Sequence, residues 1–457
     1  AIWAIALALL YHTSLFGPSI GGPSGTSHTL ETGRWSPDEE SVLPNGVLFP
    51  TYVLLTGLRL GVATSVVNPL LVSFLPVILY EGYREQVGDR AGFASACLFV
   101  FSFPFYVLYP SAGRVATPVF FLALLGLAVG DDVPLLCKRL LVLAFGMGLG
   151  VSHYGTAYVA LVAFEVAFVT YALLAVVDLL RSPLGRGGIF EAVSPSSLKR
   201  AVAHRSPDLL SGSFVAFYAV FVVEWYFYTS GGDKFAVLPR KVIGVVNRFF
   251  EASASGTAGA AVSKQYGSTS VAISRQVYIL VGALMGIGLA ATGIARLFRR
   301  DAVEIDDEFL ALAVGFMSML GASFFVVGFN VARIMMIVFT FTAVFAVYGL
   351  GSLVESVRTA HRVLSRVVAR DLRGALGGVV RVDFERAFGG FRTELTALSA
   401  VLCVFLLLNA GVVTVLFTHD YAPSNIVTQQ TLKDSEEVQV QLKAKGCINC
   451  NIESHAW

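Results

Sequence analysis

The sequence predicts an all-α fold, a polytopic bundle of about 11 transmembrane helices. Three observations predict it. The chain has 457 residues, of which 55% are hydrophobic and 14% charged, where a soluble domain carries about 25% charged residues. Its mean hydropathy is +0.71. Its apolar residues fall in blocks of about 20, the length a helix needs to cross the hydrocarbon core. These numbers exclude a water-soluble core, intrinsic disorder and a disulfide scaffold. The net charge of +2 gives no reason to expect nucleic acid as a partner.

The first apolar run, AIWAIALALLYH, has no basic n-region and no small-residue cleavage site. It reads as a truncated membrane helix rather than a signal peptide. The polar ending Ser454–Trp457 suggests that residues are missing there as well. Further blocks able to span a bilayer run at about 64–81, 92–109, 113–129, 134–151, 155–179, 209–229, 277–296, 309–328, 331–350 and 396–417. The connections 82–91, 130–139, 180–208, 296–308 and 351–395 hold 20 of the 33 Lys and Arg residues. The positive-inside rule makes this set cytoplasmic. The expected organisation is a bundle over 1–417, with outer loops 13–63 and 230–276 and a basic cytoplasmic segment 351–395. Residues 418–457 then begin a truncated external C-terminal region. The expected location is the plasma membrane, multi-pass, with the C-terminus outside.

Segment 351–395 carries eight Arg, and Arg358, Arg362, Arg366 and Arg370 recur every four residues among apolar ones. That pattern suits a helix lying on anionic lipid, with grip on a lipid-phosphate substrate as the sharper alternative. Cys97, Cys137 and Cys403 lie in or beside apolar spans and read as core residues, while Cys447 and Cys450 form one CxxC in the tail. A zinc ribbon needs a second pair of ligands, so a disulfide or plain thiols are expected there.

With this sidedness, most polar groups able to do chemistry converge on the outer face. In SHTLETGRWSPDEE (27–40), Glu31, Asp38, Glu39 and Glu40 stand beside Arg34 and His28. Such a carboxylate can act as general base on an acceptor hydroxyl, or hold a divalent cation against a diphosphate; a solvated acidic loop is the plain alternative. Ser152-His153-Tyr154 opens a span, and a His at that boundary can donate to phosphate. Arg114 and Arg333 each begin an outer-side helix, where guanidinium and helix dipole together suit phosphate; snorkelling is the alternative. Glu165 and Glu224 lie within spans. Intramembrane acids are functional hypotheses by default, but a relay needs a chain of them, and these two sit on different helices. The nucleotide-binding, metalloprotease and nucleophile-elbow motifs are absent, and no internal repeat marks an inverted-repeat transporter.

The segments TGRWSPDEES (32–41), GRVATPVFFLALLGL (113–127), GLGVSHYGTAYVAL (148–161), EWYFYTSGG (224–232), FNVARIMMIVF (329–339) and FLLLNAGVVTVLFTHDYAPSNIV (405–427) keep their order along the chain. In this the chain resembles an archaeal family of multi-spanning membrane proteins of unknown function. That family in turn resembles the GT-C class of membrane glycosyltransferases. The likeness covers nearly the whole chain, and the His-Tyr and Asn-x-x-Arg turns are its most specific pieces. It implies a GT-C-like bundle that transfers a sugar from a polyprenyl-phosphate carrier to an external glycan or protein. By the same resemblance the catalytic carboxylate lies in the first outer loop and basic residues at helix ends meet the lipid phosphate. The early Asp of the relatives is missing from this loop, which reads GGPSGTSHTLETG. Glu31 and Asp38 are therefore the candidate catalytic residues. Arg114, His153, Tyr154, Asn330 and Arg333 are the candidate substrate-binding ones. A transporter or lipid flippase built on Glu165 and Glu224, or a non-catalytic scaffold of glycan assembly, are the rival expectations.

Overall fold

The computed structural model describes residues 2–16, 24–36, 44–58, 60–62, 66–102, 105, 113–130, 133–181, 210–230, 269–298, 305–323, 334–353 and 356. Among these every regular element is helical, as an all-α membrane bundle requires. Asp38, Asn330, Arg333, the span expected at 396–417, the C-terminal region 418–457 and most of segments 230–276 and 351–395 lie outside the described residues.

The helices, in order, are α1 Ile2–Phe16, α2 Ser24–Thr32, α3 Phe49–Thr56, α4 Asn68–Ser73, α5 Leu75–Val100, α6 Gly113–Gly130, α7 Leu135–Ser152, α8 Tyr154–Arg181, α9 Gly212–Ser230, α10 Thr269–Phe298, α11 Asp307–Ser323 and α12 Ile334–Leu353. Among the described residues four stretches are long and apolar enough to cross a membrane: Leu135–Ser152, Tyr154–Asp178, Ile279–Phe298 and Ile334–Leu353. The segment expected as an outer loop over 13–63 contains helix: α1 continues to Phe16, and α2 and α3 lie within it.

Helix α5 is two limbs rather than one rod. Gly88 has φ 76° and ψ 169° inside it, a conformation open to glycine because it lacks a Cβ. The rings of Tyr80 and Phe93 meet at 6.5 Å, whereas thirteen residues of straight helix would separate them by about 20 Å. This reversal is the connection expected at 82–91. It starts a chain of neighbours: α5 packs on α6, α6 on α7, α7 on α9, α9 on α8, α8 on α11 and α11 on α10.

Lipid tails are as apolar as leucine, so helices in a membrane associate by close packing rather than by escape from water. Glycines supply that closeness here. A Cβ at Gly315 of α11 would overlap the carbonyl oxygen of Ala163 in α8. Gly288 of α10 and Gly349 of α12 meet backbone to backbone in the same way. Helix α12 is apolar on every side, and residues 334–347 are all buried, the signature of a helix packed all round. Its hydroxyls are turned inward: Thr342 donates to the Val338 carbonyl at 2.9 Å. The Tyr83 hydroxyl ties α5 to it by donating to the Phe339 carbonyl at 2.8 Å. Phe164 of α8 centres the core, edge-on to Phe214, Tyr218 and Phe316 at 5.9, 5.2 and 6.0 Å. Cys97 is buried, as expected; Cys137 is exposed on the first turn of α7, outside the core.

Candidate functional site

Helices α7 and α8 meet at a single residue. His153 is extended, with φ −163° and ψ 119°, and both neighbouring residues are helical. Its carbonyl accepts the Ala157 N–H at 2.9 Å, and its Nδ1 accepts the Thr156 N–H at 3.2 Å. The imidazole thus caps α8 as an Asn or Ser side chain would. With Nδ1 accepting, the proton of the neutral ring sits on Nε2. His153 stacks on Tyr154 at 4.9 Å. Tyr154 stands edge-on to Tyr226 of α9 at 6.3 Å, and Tyr158 packs on the same ring at 5.6 Å. The Tyr226 hydroxyl donates to the Gly150 carbonyl at 2.8 Å and so binds α9 to α7.

The first loop joins this cluster through Trp35. Its indole stacks on Trp225, one residue from Tyr226, at 6.1 Å and 8° between planes. A Cβ at Gly46 would overlap the Trp35 ring, so a glycine is required where the chain passes it. Glu31 is exposed in the last turn of α2, which ends at Gly33 with φ 65°. Four residues reach at most about 14 Å, so the stack holds Glu31 near the C-terminal end of α9. Arg114 lies in the first turn of α6. Gly148 of α7 faces Phe121 of α6. Helical rise then puts Arg114 about 10 Å above that contact and His153 about 8 Å above it, so their backbones stand level at one end.

The structure therefore gathers the Glu31 segment, the Arg114 helix start, His153 and Tyr154 at the same end of the bundle. Sequence reasoning missed Trp225, Tyr226 and Tyr158. The signal was the EWYFY run, whose aromatics suit a membrane-interface belt but also form the collar of this site. Two polar atoms in the collar are buried with no hydrogen-bond partner among the described residues: the Tyr158 hydroxyl and Trp225 Nε1. No three His, Cys, Asp or Glu side chains come together as a cation site among the described residues. Glu165 and Glu224 are exposed on separate helices.

The opposite end carries charge. Arg296 of α10 is 5% exposed. It donates to Asp178 of α8 at 2.9 Å and to Asp307 of α11 at 2.5 and 2.7 Å. Asp306 caps α11 by accepting the Glu308 N–H at 2.7 Å, and its own N–H donates to Gln86 of α5 at 3.0 Å. The buried Glu308 carboxylate accepts the Leu210 N–H. Lys138 of α7 donates to the Val129 carbonyl of α6 at 3.1 Å.

A family model described as a predicted membrane protein (DUF2206) matches residues 138–439, a stretch that includes His153, Tyr154, Asn330 and Arg333. No curated protein sequence matches the chain. Among solved structures, the archaeal oligosaccharyltransferase AglB from Archaeoglobus fulgidus, in complex with an inhibitory peptide and a dolichol-phosphate, is similar at a TM-score of 0.44 and 12% identity. The likeness covers 96% of this chain and 59% of that one, so this chain spans less than two thirds of its length.

Proposed function

The chain belongs to the family of predicted membrane proteins described as DUF2206, and from that premise we propose that it transfers a sugar from a polyprenyl-phosphate carrier to an external glycan or protein. The observation that carries this reading is the gathering of a carboxylate segment, an arginine helix start, a capped histidine and a tyrosine at one end of the bundle. That end faces the exterior in the orientation given by the positive-inside rule.

In this reaction the bond between the sugar's anomeric carbon and the carrier phosphate breaks, and a bond from the acceptor atom to that carbon forms. The acceptor's proton passes to Glu31 or Asp38 acting as general base. The departing phosphate gains negative charge, which Arg114 and Arg333 neutralise while the His153 Nε2–H donates a hydrogen bond to it. Tyr154 and Asn330 complete the grip on the donor. Holding donor and acceptor together supplies much of the rate by orientation.

The test is transfer of labelled sugar in proteoliposomes, from polyprenyl-phosphate sugars to an external acceptor. Arg114→Ala and Arg333→Ala are expected to abolish transfer, with folding and insertion intact. Full transfer by both variants would remove these residues from the chemistry.

A further inference from the structure

Tyr226 of α9 reaches the His153 turn from both of its sides. A helix leaves its last four carbonyls without intrahelical donors. Many helices satisfy them by ending on a left-handed residue that folds the chain back. Helix α7 does not, because His153 is extended and Tyr154 already begins α8. The Gly150 carbonyl, in the last turn before His153, takes a donor from another helix, the Tyr226 hydroxyl at 2.8 Å. Gly150 permits this approach: a Cβ there would stand 3.0 Å from the Phe221 ring and 3.3 Å from Val222 of α9. On the far side of the turn, the Tyr226 ring stands edge-on to Tyr154 at 6.3 Å, and Tyr154 stacks on His153 at 4.9 Å. Tyr226 is fully buried, so water does not compete for either contact.

We propose that Tyr226 is a positioning residue for the sugar transfer, fixing the His153 ring so that its Nε2–H meets the carrier phosphate. The inference rests on the sugar-transfer reading and adds to it a residue that acts through another. An extended residue between two helices takes its direction from the helix ends on either side. The Tyr226 hydroxyl fixes the end of α7, and its ring fixes Tyr154 at the start of α8. The Thr156 N–H on Nδ1 sets the tautomer of His153; Tyr226 sets where that tautomer points. Removing the hydroxyl alone keeps the ring contacts and releases the last turn of α7. Small displacements matter here, since a misplacement of about 1 Å can cost about a hundredfold in rate. Tyr218 supplies the matched control. It lies on the same face of α9, about two turns earlier, and is also fully buried. Its hydroxyl stands 3.4 Å from the Ala157 carbonyl, well beyond the usual length of about 2.7–2.8 Å.

The test uses the full chain in lipid nanodiscs with isotope-labelled histidine. The His153 signals are those absent from His153→Asn, and the ring nitrogen shifts report which nitrogen holds the proton. Wild type is expected to show His153 as a single Nε2–H form. Tyr226→Phe is expected to show a mixture of both tautomers. Its kcat for sugar transfer should fall about tenfold to a hundredfold, with KM for the acceptor unchanged. Tyr218→Phe should match wild type in both measurements. An unchanged His153 spectrum in Tyr226→Phe overturns the inference and leaves the sugar-transfer reading standing. A changed spectrum with full transfer also overturns it, since Tyr226 would then hold the turn for the fold alone. Equal losses in Tyr226→Phe and Tyr218→Phe overturn it too, because any buried hydroxyl of α9 would then serve as well. If wild type transfers no sugar, the sugar-transfer reading fails and the positioning role falls with it.

Discussion

The two ends of the bundle are built from different chemistry. At the Arg296 end, buried ionic groups are matched: one guanidinium joins α8, α10 and α11 through Asp178 and Asp307, and Glu308 and Asp306 secure α9 and α5. At the His153 end aromatic stacks predominate, and two buried donors have no acceptor among the described residues. A matched ionic network holds one geometry, because breaking any member strands a charge. Stacked rings carry no charge to strand, so their contacts are replaced at lower cost. Under the proposed sugar transfer, the contrast assigns rigidity to one end and recognition to the other.

The largest expected effect comes from breaking the rigid end. Arg296→Met leaves Asp178 and Asp307 facing each other in a buried site. Removing one partner of a buried ion pair costs about 3–5 kcal/mol. The midpoint of denaturant unfolding in detergent should fall accordingly. Adding Asp178→Asn and Asp307→Asn to Arg296→Met should recover most of the loss, since no uncompensated charge remains. If the triple variant is as unstable as the single one, Arg296 acts by packing its stem and the ionic account of this end is wrong.

That contrast was only half legible in the sequence. Helix limits were readable because polar residues interrupt apolar blocks: the span expected at 134–151 is Leu135–Ser152, and that at 331–350 is Ile334–Leu353. The His153 turn was readable too, since Ser-His-Tyr breaks an otherwise apolar run. The pairings between helices were not. Hydropathy gives the depth of a residue but not the rotation of its helix about its axis, and rotation decides which side chains meet. The Trp35–Trp225 stack and the Arg296–Asp178 pair therefore left no trace in spacing. Rotation also places Glu165 and Glu224 on exposed faces, while the carboxylates that organise the fold sit at helix ends, where apolar periodicity stops.

At the recognition end a smaller effect separates structure from chemistry. His153→Ala removes the cap of α8 and should cost about 0.5–2 kcal/mol. Asn is a strong N-cap, so His153→Asn should restore stability to near wild type. Neither variant carries the Nε2–H, and both should lose sugar transfer. Transfer that recovers with stability in His153→Asn would make His153 a cap alone. The recognition end would then owe its chemistry to Arg114 and the carboxylates.

The smallest effect concerns how the first loop reaches the site. Trp35 and Trp225 stack nearly parallel, and an aromatic pair contributes about 0.5–1.5 kcal/mol beyond its buried area. Trp35→Ala should lower global stability by about that much, because the stack is the contact it removes. Its consequence is local. Without the stack, the Glu31 segment is no longer tied to α9, and limited proteolysis should cut the 27–40 loop faster than in wild type. Sugar transfer should fall through a weaker hold on the acceptor, while binding of the polyprenyl-phosphate donor at His153 stays unchanged. Loss of both together would mean that the stack supports the whole recognition end. Rigidity and recognition would then meet at Trp225 instead of being divided between opposite ends of the bundle.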